Sequence, residues 1–129
     1  MPNAKCSTGC ILYFVFMPPE YLEGIRLFNA GHYWHAHEQW EQCWLRATGD
    51  DALFYQALIQ AAAALVKWRQ GNLRGLHLNW AKSRARLDRL PPRYRDLDLA
   101  TLRAHLDSLA AGATTTPPLL IIGADLHAS

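Results

Sequence analysis

The residues from Asp51 to Gln70 read DALFYQALIQAAAALVKWRQ, and the ten from Ala57 to Val66 contain a single polar side chain, Gln60. A helix apolar on every side has no face to offer water, so it belongs in the middle of a bundle with neighbours on several sides. Its alanines let those neighbours approach closely. Gln56 and Gln60 lie four apart and therefore share one face of this central helix. The rest of the chain has to supply the helices that cover it.

The punctuation on both sides is helical. Pro19 suits a first turn, and Tyr21, Leu22, Ile25, Leu27 and Phe28 form a stripe that stops at Asn29-Ala30-Gly31, a C-terminal glycine signal. A second helix is predicted from about His32 to Arg46. Gly49-Asp50-Asp51 then breaks the chain and supplies acids for the start of the central helix. Gly71-Asn72 ends that helix, and a fourth follows from Leu73 to Leu90, stopped by Pro91-Pro92. Asp98 caps a fifth that ends near Gly112. Strand-like alternation is confined to the N-terminal run and to Leu119 to Ile122. The expected fold is all-α, a single bundle of about five helices over residues 17–112, with an N-terminal extension (1–16) and a loose C-terminal tail (113–129).

At 129 residues, 50% hydrophobic and 11% aromatic, the chain fits one domain with a real core and excludes fibrous and disordered classes. The longest unbroken apolar run, Cys10 to Met17, is well short of the roughly 20 residues that cross a bilayer. Pro18-Pro19-Glu20 stands where a secretory signal has a small-residue cleavage site. A start at Met17 is one reading of the first 16 residues. Three cysteines, Cys6, Cys10 and Cys43, cannot all pair within the chain, which points to a reducing, cytoplasmic setting. Cys43 reads as a structural thiol.

On a wheel at about 100° per residue, the second helix places Tyr33, Ala36, Trp40, Cys43 and Trp44 on an apolar arc widened by Trp34 and Leu45. His37 and Glu41 fall inside that arc and Glu38 at its edge. An ionisable pair among tryptophans is costly to bury unless the two groups bond each other or a third partner. Gln56 and Gln60 are the amides that the central helix offers. Two readings stay open. One is a polar network that fixes how the second and third helices dock. The other is a pocket lined by Tyr33, Trp40 and Trp44, in which His37 and the two glutamates bind a small molecule or act as acid and base.

The string His37-Glu38-Gln39-Trp40-Glu41 approaches the zinc-peptidase pattern H-E-x-x-H but ends in glutamate. His37 and Glu41 would give two metal ligands, with His77 or Glu23 as the third, so a metal is an alternative and no cofactor is the primary expectation. Nine of the thirteen Lys and Arg residues lie between Lys67 and Arg95. Lys82, Arg86 and Arg89 share one side of the fourth helix. With a net charge of only +2 and no nucleic-acid motif beside them, they read as a solvated face, and a nucleic-acid partner is not expected.

The segment Leu27 to Glu41, with Ala36-His37-Glu38 followed by Trp40-Glu41, then Leu58-Ile59-Gln60, then Gly71-Asn72, resembles the prokaryotic domain of unknown function 309 family over about Pro19 to Leu109. The resemblance implies a small, mainly helical domain and names no reaction. His37, Glu38, Glu41, Gln60 and Asn72 match the family's polar set. His35 stands where the family has glutamate, which removes one carboxylate, and Ala57 where it has glycine, which adds a methyl group to the central helix. The function expected is a binding or interaction module for a small molecule or protein, with self-association left open. The alternative is a metal-assisted hydrolase using the same cluster.

Overall fold

The structure, a computed structural model, describes residues 17–123. The expectations for residues 1–16, including Cys6 and Cys10, and for 124–129 lie outside the described residues. Among the described residues five helices follow in order: α1 (Pro19–Asn29), α2 (Tyr33–Leu45), α3 (Gly49–Arg69), α4 (Leu73–Leu87) and α5 (Leu99–Ala110). A short hairpin, β1 (Arg93–Tyr94) and β2 (Leu97–Asp98), precedes α5.

The sequence signals act where expected. Pro19 occupies the first turn of α1. Gly31 and Gly71 take left-handed φ values of 86° and 75°. Behind each, the next amide reaches back to close the helix: His32 N–H to Leu27 O at 2.8 Å, and Asn72 N–H to Lys67 O at 2.9 Å. This is the Schellman arrangement, which needs a residue without a Cβ penalty at that position. Asp98 caps α5, accepting from the Thr101 amide at 3.0 Å. α4 ends at Leu87 rather than Leu90, because Pro91 biases the residue before it away from helical geometry.

The hairpin escaped the sequence reading. Each of its strands has two residues, too few for a period to register. Its turn residues Arg95 and Asp96 sit at positive φ (47° and 63°) without the glycine that announces such a turn. It is held instead from outside: the Arg95 guanidinium lies 2.8 Å from Asp51 Oδ2, Tyr94 O–H donates to Asp51 at 2.7 Å, and Tyr21 O–H donates to Arg95 O at 2.9 Å.

α3 is central, with α2 on one side and α4 on the other. The core is its inward side, Phe54, Tyr55, Leu58, Ala61, Ala62 and Leu65, all at most 2% exposed. Tyr21 of α1 meets Phe54 and Tyr55 edge to face at 5.7 and 5.9 Å. Ser83 O–H, fully buried, ties α4 to Ala57 O at 2.7 Å. Beyond Ala110 the chain is an extension without helix, and part of it is docked. Asn29 bonds both the N–H and the C=O of Leu120, which is buried, and Leu97 pairs with Ile122.

Candidate interaction surface

α2 positions the residues that the wheel singled out. Its buried stripe is Tyr33, Ala36, Trp40 and Cys43. At about 100° per residue, His37 lies about 80° from the middle of that stripe and Glu41 about 120°. The structure accordingly brings these two together at the margin. His37 Nε2 is 3.2 Å from Glu41 Oε2, with side-chain exposures of 16% and 48%, and the His37 ring stacks on Trp34 at 4.8 Å. His37 Nδ1 is buried without a partner.

The remaining members of the expected cluster are elsewhere. Glu38 pairs outward with His35 at 3.2 Å. Gln60 turns to α4 and accepts from Arg86 Nη1 at 3.0 Å, so it does not reach the pair on α2. Gln56 is half-buried and, among the described residues, makes no side-chain hydrogen bond to either. Asn72 caps α4, its Oδ1 accepting from the Gly75 amide at 2.8 Å.

The aromatic lining also separates. Trp40 is fully buried and donates to Tyr21 O at 3.2 Å. Tyr33 is buried beneath the Arg69 guanidinium at 4.8 Å, and burial pushes its hydroxyl above the usual tyrosine range. Trp44 is 39% exposed and lines neither hollow beside Trp34. Counting Trp34 and Leu45 as core made the apolar arc too wide, and the cluster with it. Glu23 pairs with Arg26, and His77 is exposed on α4. Among the described residues, no group of three His, Cys, Asp or Glu side chains is placed to hold a metal. Cys43 is buried, and desolvation pushes its thiol up.

What the structure does assemble is a face that the sequence reading passed over. The side of α3 away from the core presents Ala52, Gln56, Ile59, Ala63, Val66 and Gln70, each partly or fully exposed. Their spacing of four, three, four, three and four is that of a helix-pairing seam. On the α2 side Trp34 stands over it, 56% exposed. Trp34 belongs to two adjoining hollows. One, of about 410 Å³, is lined with Ala63, Val66, Lys67 and Gln70. The other, of about 300 Å³, is shared with His35, Val66 and Arg69. On α4, Leu78 is 52% exposed and Lys82 is exposed, and Arg86 of the same helix reaches Gln60 of α3. The signal for it was already in α3: among the described residues, an apolar helix flanked by α2 and α4 keeps one side open.

The basic stripe is only partly free. Arg86 gives its Nη1 to Gln60 and to Lys82 O, while Lys82 and Arg89 are exposed.

Comparison with known proteins finds similarity without a described activity. The family profile "Domain of unknown function (DUF309)" matches residues 21–78. A conserved hypothetical protein of Thermus thermophilus, TTHA0068, is similar in crystal structure with a TM-score of 0.63 and 36% sequence identity. The match covers 72% of this chain and 97% of that one. No protein of curated function matches.

Proposed function

The chain belongs to the domain of unknown function 309 family, and from that premise we propose that it is a protein-interaction module whose docking surface is the open face of α2, α3 and α4. The carrying observation is Trp34. An indole left 56% exposed between two hollows, beside a half-buried apolar seam, has the composition of an interface centre and not of an ordinary wet surface. The edges carry charge, Glu38 and Glu41 on α2 against Lys82 and Arg86 on α4, as an interface rim does. A partner that fits offers an apolar helical ridge with charges beside it.

The docking reading is supported over the hydrolase alternative by the state of His37. Nε2 lies 3.2 Å from Glu41 and Nδ1 is buried without a partner, and His37 is not among the residues lining the two hollows at Trp34. A general base needs a free nitrogen within hydrogen-bond reach of the proton it takes.

A photo-crosslinking amino acid placed at Trp34 or Ala63 in the producing cell tests this. Crosslinks to a protein are expected at both positions and not at Ala104, exposed on the far helix α5. Silence at positions 34 and 63, or equal labelling at 104, overturns it.

A further inference from the structure

The face described above is open, and the pattern across its three rows says what covers it. α2 and α4 both run antiparallel to α3, so they are parallel to each other. The outward row of α2 reads Trp34, Glu38, Glu41 at spacings of four and three, and that of α4 reads Leu78, Lys82, Arg86 at spacings of four. Each row begins with an exposed large apolar residue and continues with charge, acidic on α2 and basic on α4.

The rows are also level. Trp34 shares a hollow with Ala63 and Val66, so Glu38 and Glu41, one and two turns farther along α2, stand beside the stretch of α3 around Ile59 to Ala62. Arg86 bonds Gln60 in that same stretch, and Lys82 is one turn away along α4.

We infer that the partner on this face is a second copy of the chain, related by a two-fold axis running along α3, so that α3 packs on α3 in parallel and in register. The inference rests on the interaction-module reading and names its partner. Only this axis lays α2 of one copy over α4 of the other. Trp34 then meets Leu78, and Glu38 and Glu41 meet Lys82 and Arg86, each contact made twice because the interface is isologous. An axis running across α3 sets α2 on α2 and α4 on α4, acid against acid and base against base, which costs affinity.

The seam suits its own image. Ile59 and Val66 meet their equivalents, Ala63 lets the backbones approach, and the Gln56 and Gln70 amides each have a matching amide opposite. The 21 residues of α3 make a face about 31 Å long at about 1.5 Å per residue. With α2 and α4 each about 9 Å to the side, the face is about 18 Å wide. Allowing α2 and α4 their own lengths of 13 and 15 residues and half their width, that is about 470 Å² per copy and about 940 Å² in all, close to the roughly 1,000 Å² that a specific contact needs. For a contact this small, with charge pairs at its rim, the expected dimer is weak, with a Kd of about micromolar order.

Sedimentation equilibrium on the full chain is the test, read as the shift between the 14.6 kDa monomer and twice that mass. The dimer is expected to weaken at least tenfold in Ala63→Glu and in the pair Glu38→Lys with Glu41→Lys. It should recover when the latter is combined with Lys82→Glu and Arg86→Glu. All these positions are partly or fully exposed, and circular dichroism confirms that each variant is folded. A wild-type monomer at about 100 µM, about a hundredfold above the expected Kd, overturns the inference. So does a dimer indifferent to Ala63→Glu, or a charge reversal that the opposite reversal does not rescue. If the chain stays monomeric while positions 34 and 63 crosslink a different protein, self-pairing fails and the interaction-module reading stands. If those positions are silent in the cell, the reading itself fails.

Discussion

Gly24→Ala tests the contact that seats α1 on α2. A Cβ at Gly24 would lie 2.6 Å from Cδ1 and Cε2 of Trp40, and closer still to Nε1, where carbon atoms in ordinary contact stand about 3.5–4.0 Å apart. The indole must therefore withdraw by about 1 Å. Trp40 is fully buried and its Nε1–H donates to Tyr21 O at 3.2 Å. Withdrawal overpacks the core, at about 1–3 kcal/mol, and breaks that bond, at about 1 kcal/mol. Alanine returns about 1 kcal/mol of helix propensity. The net expectation is a loss of about 1–3 kcal/mol, which at about 4 °C per kcal/mol lowers the melting midpoint by about 4–12 °C. Denaturant unfolding followed by tryptophan fluorescence measures it. A double-mutant cycle with Trp40→Phe, which removes the Nε1 side of the indole, should show the two changes coupling favourably by about 1 kcal/mol. A Gly24→Ala protein as stable as the parent, or more so, would refute the close packing on which the loss was worked out.

Three further expectations follow from hydrogen bonds that join elements. Arg95 holds the Asp51 carboxyl below the usual carboxylate range, helped by the Tyr94 hydroxyl, which is itself pushed up to about 12 chiefly by desolvation and then by its bond to Asp51. A carboxylate depressed in the folded state stabilises above its unfolded pKa, and that contribution is lost as pH falls through the folded value. Asp51→Asn should therefore destabilise at neutral pH and flatten the fall in melting midpoint below about pH 4; parallel acid limbs for the two proteins would contradict this. Ser83→Ala removes a fully buried bond to Ala57 O and should cost about 1 kcal/mol in urea unfolding, an unchanged midpoint counting against it. Asn29→Ala frees both backbone groups of Leu120, so amide exchange at Leu120 should accelerate at least tenfold while the α3 core keeps its protection; an unaltered rate at Leu120 would show that something else holds the segment.

The candidate site was less legible than the fold. His37 and Glu41 at spacing four were readable as a pair, because i and i+4 meet on any helix. Where the pair sits relative to water was not, because hydropathy counts an indole as core wherever it stands, and Trp34 faces solvent. Gln60 is the parallel case: its place on α3 was plain, but whether it turned toward α2 or α4 depended on Arg86 lying within reach from another helix. The hairpin at 93–98 depends likewise on Asp51, more than forty residues away in the chain.

Helix number, order and ends were set by local chemistry: glycine where a left-handed turn closes a helix, proline where the ladder of bonds stops, a capping aspartate, and a central helix without a polar side. Each of these acts within a few residues, and a linear reading can see it. Which side of α3 is left open, and the lining-up of an acidic row with a basic one across it, came only with the packed structure. They depend on how far neighbouring helices are rotated about their own axes, and that rotation is settled by the whole core closing at once.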